Sequence, residues 1–229
     1  MSNAWEVFPN LCGLVLKAHK QAGTLGSDHN FDHDLRAAQY ALMIAEDEMS
    51  GKLGAAAALC HSADRILQVL LDLDYNEEAP EDQVLTLLSN WLNAESFSDK
   101  EKEEIIHAVL NHTGPNRPED SMTLVILKDA DRLTCTDAEN LMSAVRYFHD
   151  LPLLDPVHLL DDPKATYREP KSVFRSFVDK NDWIGDGLFA VRLSKAKGLM
   201  ADRLKFFTFF LETVIRQRAE LDLASYPFV

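Results

Sequence analysis

Long apolar runs are missing from this chain: nothing in it approaches the roughly 20 consecutive apolar residues that a membrane-spanning helix requires, so no membrane span is expected. Positive charge is also scarce. Lys and Arg number 23 against 37 Asp and Glu, a formal net charge of -14, and no Lys/Arg stripe with interleaved aromatics offsets it. A field of that sign repels phosphate backbones, which argues against nucleic acid as a partner. An acidic chain that handles phosphate must concentrate positive charge locally, through a metal or a few placed Arg and Lys side chains. Cysteine is limited to Cys12, Cys60 and Cys135, far apart and each in an apolar helical setting. That is no disulfide framework and fits a reducing cytoplasm. Met1-Ser2-Asn3-Ala4 lacks the basic-then-apolar order of a signal peptide. There is no internal repeat, no low-complexity tract, and no strand pattern longer than a few residues.

What is present is helical periodicity. The composition, 46% hydrophobic and 26% charged, suits one globular domain with a substantial core. Apolar residues recur every three or four positions over Trp5 to about Ala22 and over Asp32 to Glu48, and Lys52 to Leu73 is apolar enough for a central core helix. Gly23-Thr24-Leu25-Gly26-Ser27 breaks the first two apart. Pro80, Glu81 and Asp82 start a helix reaching about Ala94. Ser98 with Glu101 forms a capping box for a helix to His112, stopped by Gly114-Pro115-Asn116-Arg117-Pro118. Leu124 to Leu133 follows, and Thr136 with Glu139 repeats the capping pattern before Leu141 to Phe148.

The fold expected is all-α: one domain with a core at about 5–150, an irregular excursion over 151–187 punctuated by Pro152, Pro156, Pro163 and Pro170, and C-terminal helices over 188–223, interrupted only by Gly198. The excursion is a candidate lid. Phe206, Phe207, Phe209 and Phe210 read as packing or as contacts of a homodimer. The acidic run from Asp72 to Asp82, and Asp161 with Asp162, read as solvated surface, since they lack the spacing and turn glycine of a calcium loop.

Three segments place metal-ligand residue types on otherwise apolar helices: His29 to Arg36, Ala57 to Asp64, and Leu127 to Leu133. A buried ionisable group costs several kcal/mol unless it is paired or binds metal, so His33, His61 and Asp131 are expected to meet. Two imidazoles and a carboxylate suit Mn, Fe, Ni or Zn. The structural alternatives are a helix-start cap cluster for His33, a core histidine bonded to a carbonyl for His61, and a surface ion pair with Arg132 or Lys128 for Asp131. His112 at a helix end competes with simple complementation of the helix dipole. His107, five residues earlier, is turned about 140° away and reads as exposed or structural. His29, one turn before His33, is a candidate for the site entrance.

The ordered set His33, His61 and Asp131, the last within Asp129-Ala130-Asp131-Arg132-Leu133, resembles the HD superfamily of metal-dependent phosphohydrolases. Leu199-Met200-Ala201-Asp202-Arg203 is similar to a segment of its stand-alone bacterial members. The resemblance implies an all-α HD-domain bundle with a divalent metal (Mn, Fe, Ni, Zn or Mg) held by His33, His61 and Asp131, and with Arg36 and His112 facing a phosphate pocket. It implies a small phosphorylated substrate, such as a nucleotide. Ser62 departs from it, standing where the Asp of the His-Asp pair is expected. Asp64, three residues after His61 and so on the same face of a continuous helix, is a candidate substitute. Lys128 and Arg132 are further candidates for binding phosphate. Two readings follow: hydrolysis of a phosphoester, or a degenerate HD domain that binds a nucleotide or protein without hydrolysis. The Gly-Tyr-Pro signature of cyclic dinucleotide phosphodiesterases is absent, as are the paired acids resembling a guanosine tetraphosphate hydrolase.

Overall fold

A computed structural model describes residues 3–26, 29–74, 77–159, 162, 164–165 and 169–223, and among these every regular element is a helix. Ser27, Asp161 and Pro163 lie outside the described residues. The first expected helix is two: α1 (Ala4–Val7) and α2 (Pro9–Ala22). Pro9 suits the first turn of α2, where its missing N–H is no loss, and so it separates the pair at Phe8. Gly23 closes α2 at φ 72°, a left-handed conformation that glycine adopts without a Cβ penalty.

Next come α3 (Phe31–Ile44) and α4 (Glu48–Cys60), capped by the side chains of Asn30 and Asp47. The expected single helix from Lys52 to Leu73 breaks at His61-Ser62, and α5 (Ala63–Leu70) follows. Then come α6 (Glu81–Leu92), α7 (Asp99–Asn111) and α8 (Met122–Thr134). The Ser98–Glu101 capping box is formed as expected.

The second expected capping box is not. The Thr136 hydroxyl donates backward to the Leu133 carbonyl at 2.9 Å, so it closes α8, and α9 (Asn140–Tyr147) starts with no side-chain cap. The excursion holds a short α10 (Val173–Val178) and a 3-10 turn at Asp179–Trp183. Gly198 does not interrupt α11 (Ser194–Glu220), a single helix of 27 residues. No helix among the described residues is long and apolar enough to cross a membrane.

The centre of the fold is the packing of α3, α4 and α8 on one another. Nearly every residue of α4 from Gly51 to Cys60 is buried, and small side chains let the helices approach closely. A Cβ at Gly54 would lie 2.4 Å from Cγ2 of Ile126, so only glycine fits that crossing. Each fully buried Leu or Ile here, among them Leu59, Ile126 and Leu127, contributes about 1.5–3 kcal/mol relative to exposure.

A second, smaller core joins the excursion to the C-terminal half of α11, with Phe177 stacked on Phe207 at 5.4 Å. Phe207 is fully buried and Phe210 partly so, while Phe209 is exposed. Asp162, expected on the surface, is buried and accepts the Lys164 N–H. Asp129 anchors the start of α11 on α8 by accepting the backbone N–H groups of Arg192 and Leu193, each at 2.8 Å.

Candidate metal centre

The three tightly packed helices are also the three that carry the expected ligands. His33 lies in the first turn of α3, where the Asn30 side chain takes its backbone N–H at 2.9 Å. His61 caps the C-terminus of α4, and Asp131 lies on α8 one turn before its end. Both histidines are buried, whereas the Asp131 side chain keeps 26% exposure, so the cluster opens toward solvent on the carboxylate side.

Hydrogen bonding fixes which ring nitrogen faces inward. His61 Nδ1–H donates to the Ala58 carbonyl at 2.6 Å. Thr134 Oγ1 gives its own proton to the Asp131 carbonyl at 2.6 Å, so it accepts from His33 Nδ1–H at 3.3 Å. With both Nδ1 atoms acting as donors, the two Nε2 atoms face one another at 3.0 Å. Asp131 Oδ1 lies 3.3 Å from Nε2 of His33 and 3.7 Å from that of His61. Two ring nitrogens and a carboxylate oxygen at such distances need a proton or a cation among them. Donors at about 2.0–2.2 Å from one metal and about 90–120° apart lie about 3–3.7 Å from each other, and the observed separations match. The donor set therefore fits a divalent metal.

Two more imidazoles flank this pair. The ring of His29 lies 5.3 Å from that of His33, and one donor atom each from His29, His33 and His61 lie within 4.8 Å of one another. His112 lies 5.3 Å from His61, with its Nδ1–H donated to the Val109 carbonyl at 2.6 Å. Burial and the neighbouring His33 and His61 push the His29 pKa well below its ordinary value, and burial and His61 lower that of His112. Burial opposes charge on His61 as well, but Asp34, Asp131 and the Ala58 carbonyl outweigh it and raise its pKa. Burial raises the Asp131 carboxyl, yet the His33 hydrogen bond and the charges of His61, His33 and His112 hold it well below the carboxylate range.

Position 62 offers the cluster no oxygen. The Ser62 hydroxyl is turned the other way and donates to Asp34 Oδ1 at 2.6 Å, while Asp34 Oδ2 accepts from His19 Nε2 at 2.8 Å. Asp34 Oδ1 also lies 3.5 Å from His61 Nδ1, so this buried carboxylate sits behind the ring and helps to orient it.

Other expected residues are placed differently. Asp64 does not share a helix with His61, because α4 ends at Cys60 and α5 begins at Ala63. Its Oδ1 accepts the Arg65 N–H at 2.8 Å, although its charge still reaches His61 and His112. Lys128 is buried between Asp120, at 2.9 Å, and the Pro115 carbonyl. Arg132 is buried against Asn116 and the Ala190 carbonyl. Lys128 locks the loop after α7 onto α8, and Arg132 locks both that loop and the segment before α11 onto it. Arg36 donates to Asp32 at 3.0 Å and to Asp137 at 2.7 Å. The sequence reading missed Arg65, whose charge is felt at His29; only the fold of α5 over the end of α4 brings it there. It also missed Asp34, whose position directly after His33 was the available signal.

The segment 30–135 matches the family model of the HD domain. The chain superposes on the crystal structure of a Lactobacillus plantarum protein, a Northeast Structural Genomics target, with a TM-score of 0.65 and 20% identity, over 93% of this chain and 97% of that one. At that identity the likeness shows the fold. No curated protein matches the chain.

Proposed function

We propose that this protein, whose residues 30–135 match the family model of the HD domain, hydrolyses a phosphoester of a small metabolite or nucleotide with the help of a divalent metal. The observation that carries this reading is the meeting of His33 Nε2, His61 Nε2 and Asp131 Oδ1 within 3.7 Å on three different helices. His33, His61 and Asp131 would hold the metal. Bound there, a divalent metal would supply positive charge to a phosphate oxygen and lower the pKa of a water. His112, with Nδ1–H committed to Val109, keeps its Nε2 lone pair for a proton on the His61 side. Asp64 orients water at the start of α5, and Arg65, whose charge reaches His29, steadies the phosphate. Arg36 contributes through the placement of α3, and Lys128 and Arg132 through the loops they anchor.

The test is a phosphate-release screen of nucleoside monophosphates and simple phosphomonoesters, with Mn, Fe, Ni, Zn or Mg supplied in turn. Turnover that disappears in His33→Ala and Asp131→Ala supports the reading. A second reading, binding without hydrolysis, draws on the Ser62 hydroxyl being turned into Asp34, which leaves one carboxylate facing the cluster. Calorimetric binding of a nucleotide with no phosphate released under any metal favours this second reading.

A further inference from the structure

With Ser62 committed to Asp34, Asp131 is the carboxylate that faces the His33–His61 pair. A metal held by these residues needs another protein donor or additional waters to complete a tetrahedral or higher coordination. A further imidazole groups with this pair. His29 lies four residues before His33, ahead of the Asn30 cap that fixes the start of α3. Its ring meets His33 edge-on at 5.3 Å and Tyr147 at 5.8 Å. One donor atom each from His29, His33 and His61 lie within 4.8 Å of one another, and donors around one metal lie about 3–3.7 Å apart, a spacing that side-chain torsion in half-buried His29 can reach.

We propose that His29 joins His33, His61 and Asp131 as a metal ligand, giving a site of three imidazoles and one carboxylate that selects a borderline-soft divalent metal such as Zn, Co or Ni over Mg. The selectivity follows from the donors. Mg demands oxygen ligands in near-octahedral geometry and gains little from imidazole, whereas Zn, Co and Ni bind imidazole well. Had position 62 supplied a carboxylate, the oxygen share of the site would be larger and the discrimination weaker. This inference rests on the metal-centre reading above and adds His29 and the metal class to it.

The experiment uses the full chain, stripped of metal and titrated with Co(II), then with Zn(II) in competition with a chromophoric chelator, with and without millimolar Mg(II). Wild type should bind Co(II) and Zn(II) at one equivalent, with Mg(II) failing to displace either. His29→Gln should weaken Zn(II) at least about tenfold, with its circular dichroism unchanged. His29→Cys should add a thiolate-to-cobalt charge-transfer band, a signature that appears only if residue 29 touches the metal.

Wild-type affinity in His29→Gln and no new band in His29→Cys, while His33→Ala abolishes binding, would overturn the role of His29 and leave the metal centre standing. Displacement of Zn(II) by Mg(II) would overturn the selectivity. Binding untouched by His33→Ala, His61→Ala and His29→Gln together would overturn the metal centre itself.

Discussion

Ser62 donates its hydroxyl proton to Asp34 Oδ1 at 2.6 Å, and both side chains are essentially sealed from solvent. The residue that departs from the His-Asp pattern is thus a partner of a buried carboxylate one position after His33. Ser62→Ala removes a donor from an anion that water cannot reach. It should lower stability by about 1–3 kcal/mol. Ser62→Asp should destabilise more, because two buried carboxylates share one site, and Asp34→Asn in that background should recover part of the loss. Urea denaturation of the three variants checks this. Equal midpoints for Ser62→Ala and wild type would contradict it.

Lys128 and Arg132 act on the architecture around the site. Lys128→Met leaves Asp120 with Arg192 at 2.9 Å as its remaining cation. It should cost roughly 1–3 kcal/mol while leaving metal affinity within error of wild type. The Lys128 ammonium and Arg192 hold the Asp120 pKa below its ordinary value against burial. That part of the stability is present above the ordinary carboxylate range and lost as pH falls through the lowered pKa. Melting curves between neutral and acid pH should therefore converge for the variant and wild type.

Gly54 packs against Ile126 where α4 crosses α8. Gly54→Ala places a methyl 2.4 Å from Ile126 Cγ2 and 3.0 Å from its Cβ, and Ile126 is fully buried. The overpacking should cost about 1–3 kcal/mol. Since α4 and α8 carry His61 and Asp131, metal affinity should fall as well. A titration of the metal-stripped variant alongside its melting curve checks both effects.

Lys180 is a buried cation away from the metal centre. Its ammonium is 4.9 Å from the Phe177 ring centroid and 5.8 Å from that of Phe207, and it donates to Asn140. Burial lowers its pKa to about 8. The unfolded chain, with an ordinary lysine pKa of about 10.4, binds more protons between those values, so this residue makes stability rise with pH across that window. Lys180→Met should be more stable than wild type at pH 7, by about 1–3 kcal/mol once the cation–π contacts are set against desolvation. The gap should narrow as pH climbs from about 8 to about 10. A constant gap between neutral and alkaline pH would argue against this account.

Periodicity and capping residues specify much of this molecule locally. The Ser98–Glu101 box, the acidic start of α6 and the apolar run ending at His61 are legible because they depend on neighbours within a turn or two. So are His33, His61 and Asp131 as candidates, because a polar ligand type on an apolar helix is anomalous wherever the helix lies. Thr136 shows the limit. Its hydroxyl has acceptors behind it and donors ahead, and packing of α8 decides that it closes one helix instead of opening the next.

Ser62, Asp64 and Arg65 show the same limit at the site. A break of two residues after Cys60 separates Asp64 from the helix of His61 and brings Arg65 toward His29. Lys128 and Arg132 read as phosphate ligands by type, yet the loops before α8 and α11 fold over them and take their charge. The sequence by itself determined an all-helical chain and the residue types able to hold a metal, since both follow from short-range pattern and from the cost of burying polar groups. Which nitrogens face one another, which carboxylate stands behind His61, and which cations remain near the cluster were decided by the tertiary structure. Those depend on contacts between segments as distant as His33 and Thr134, which local spacing does not encode.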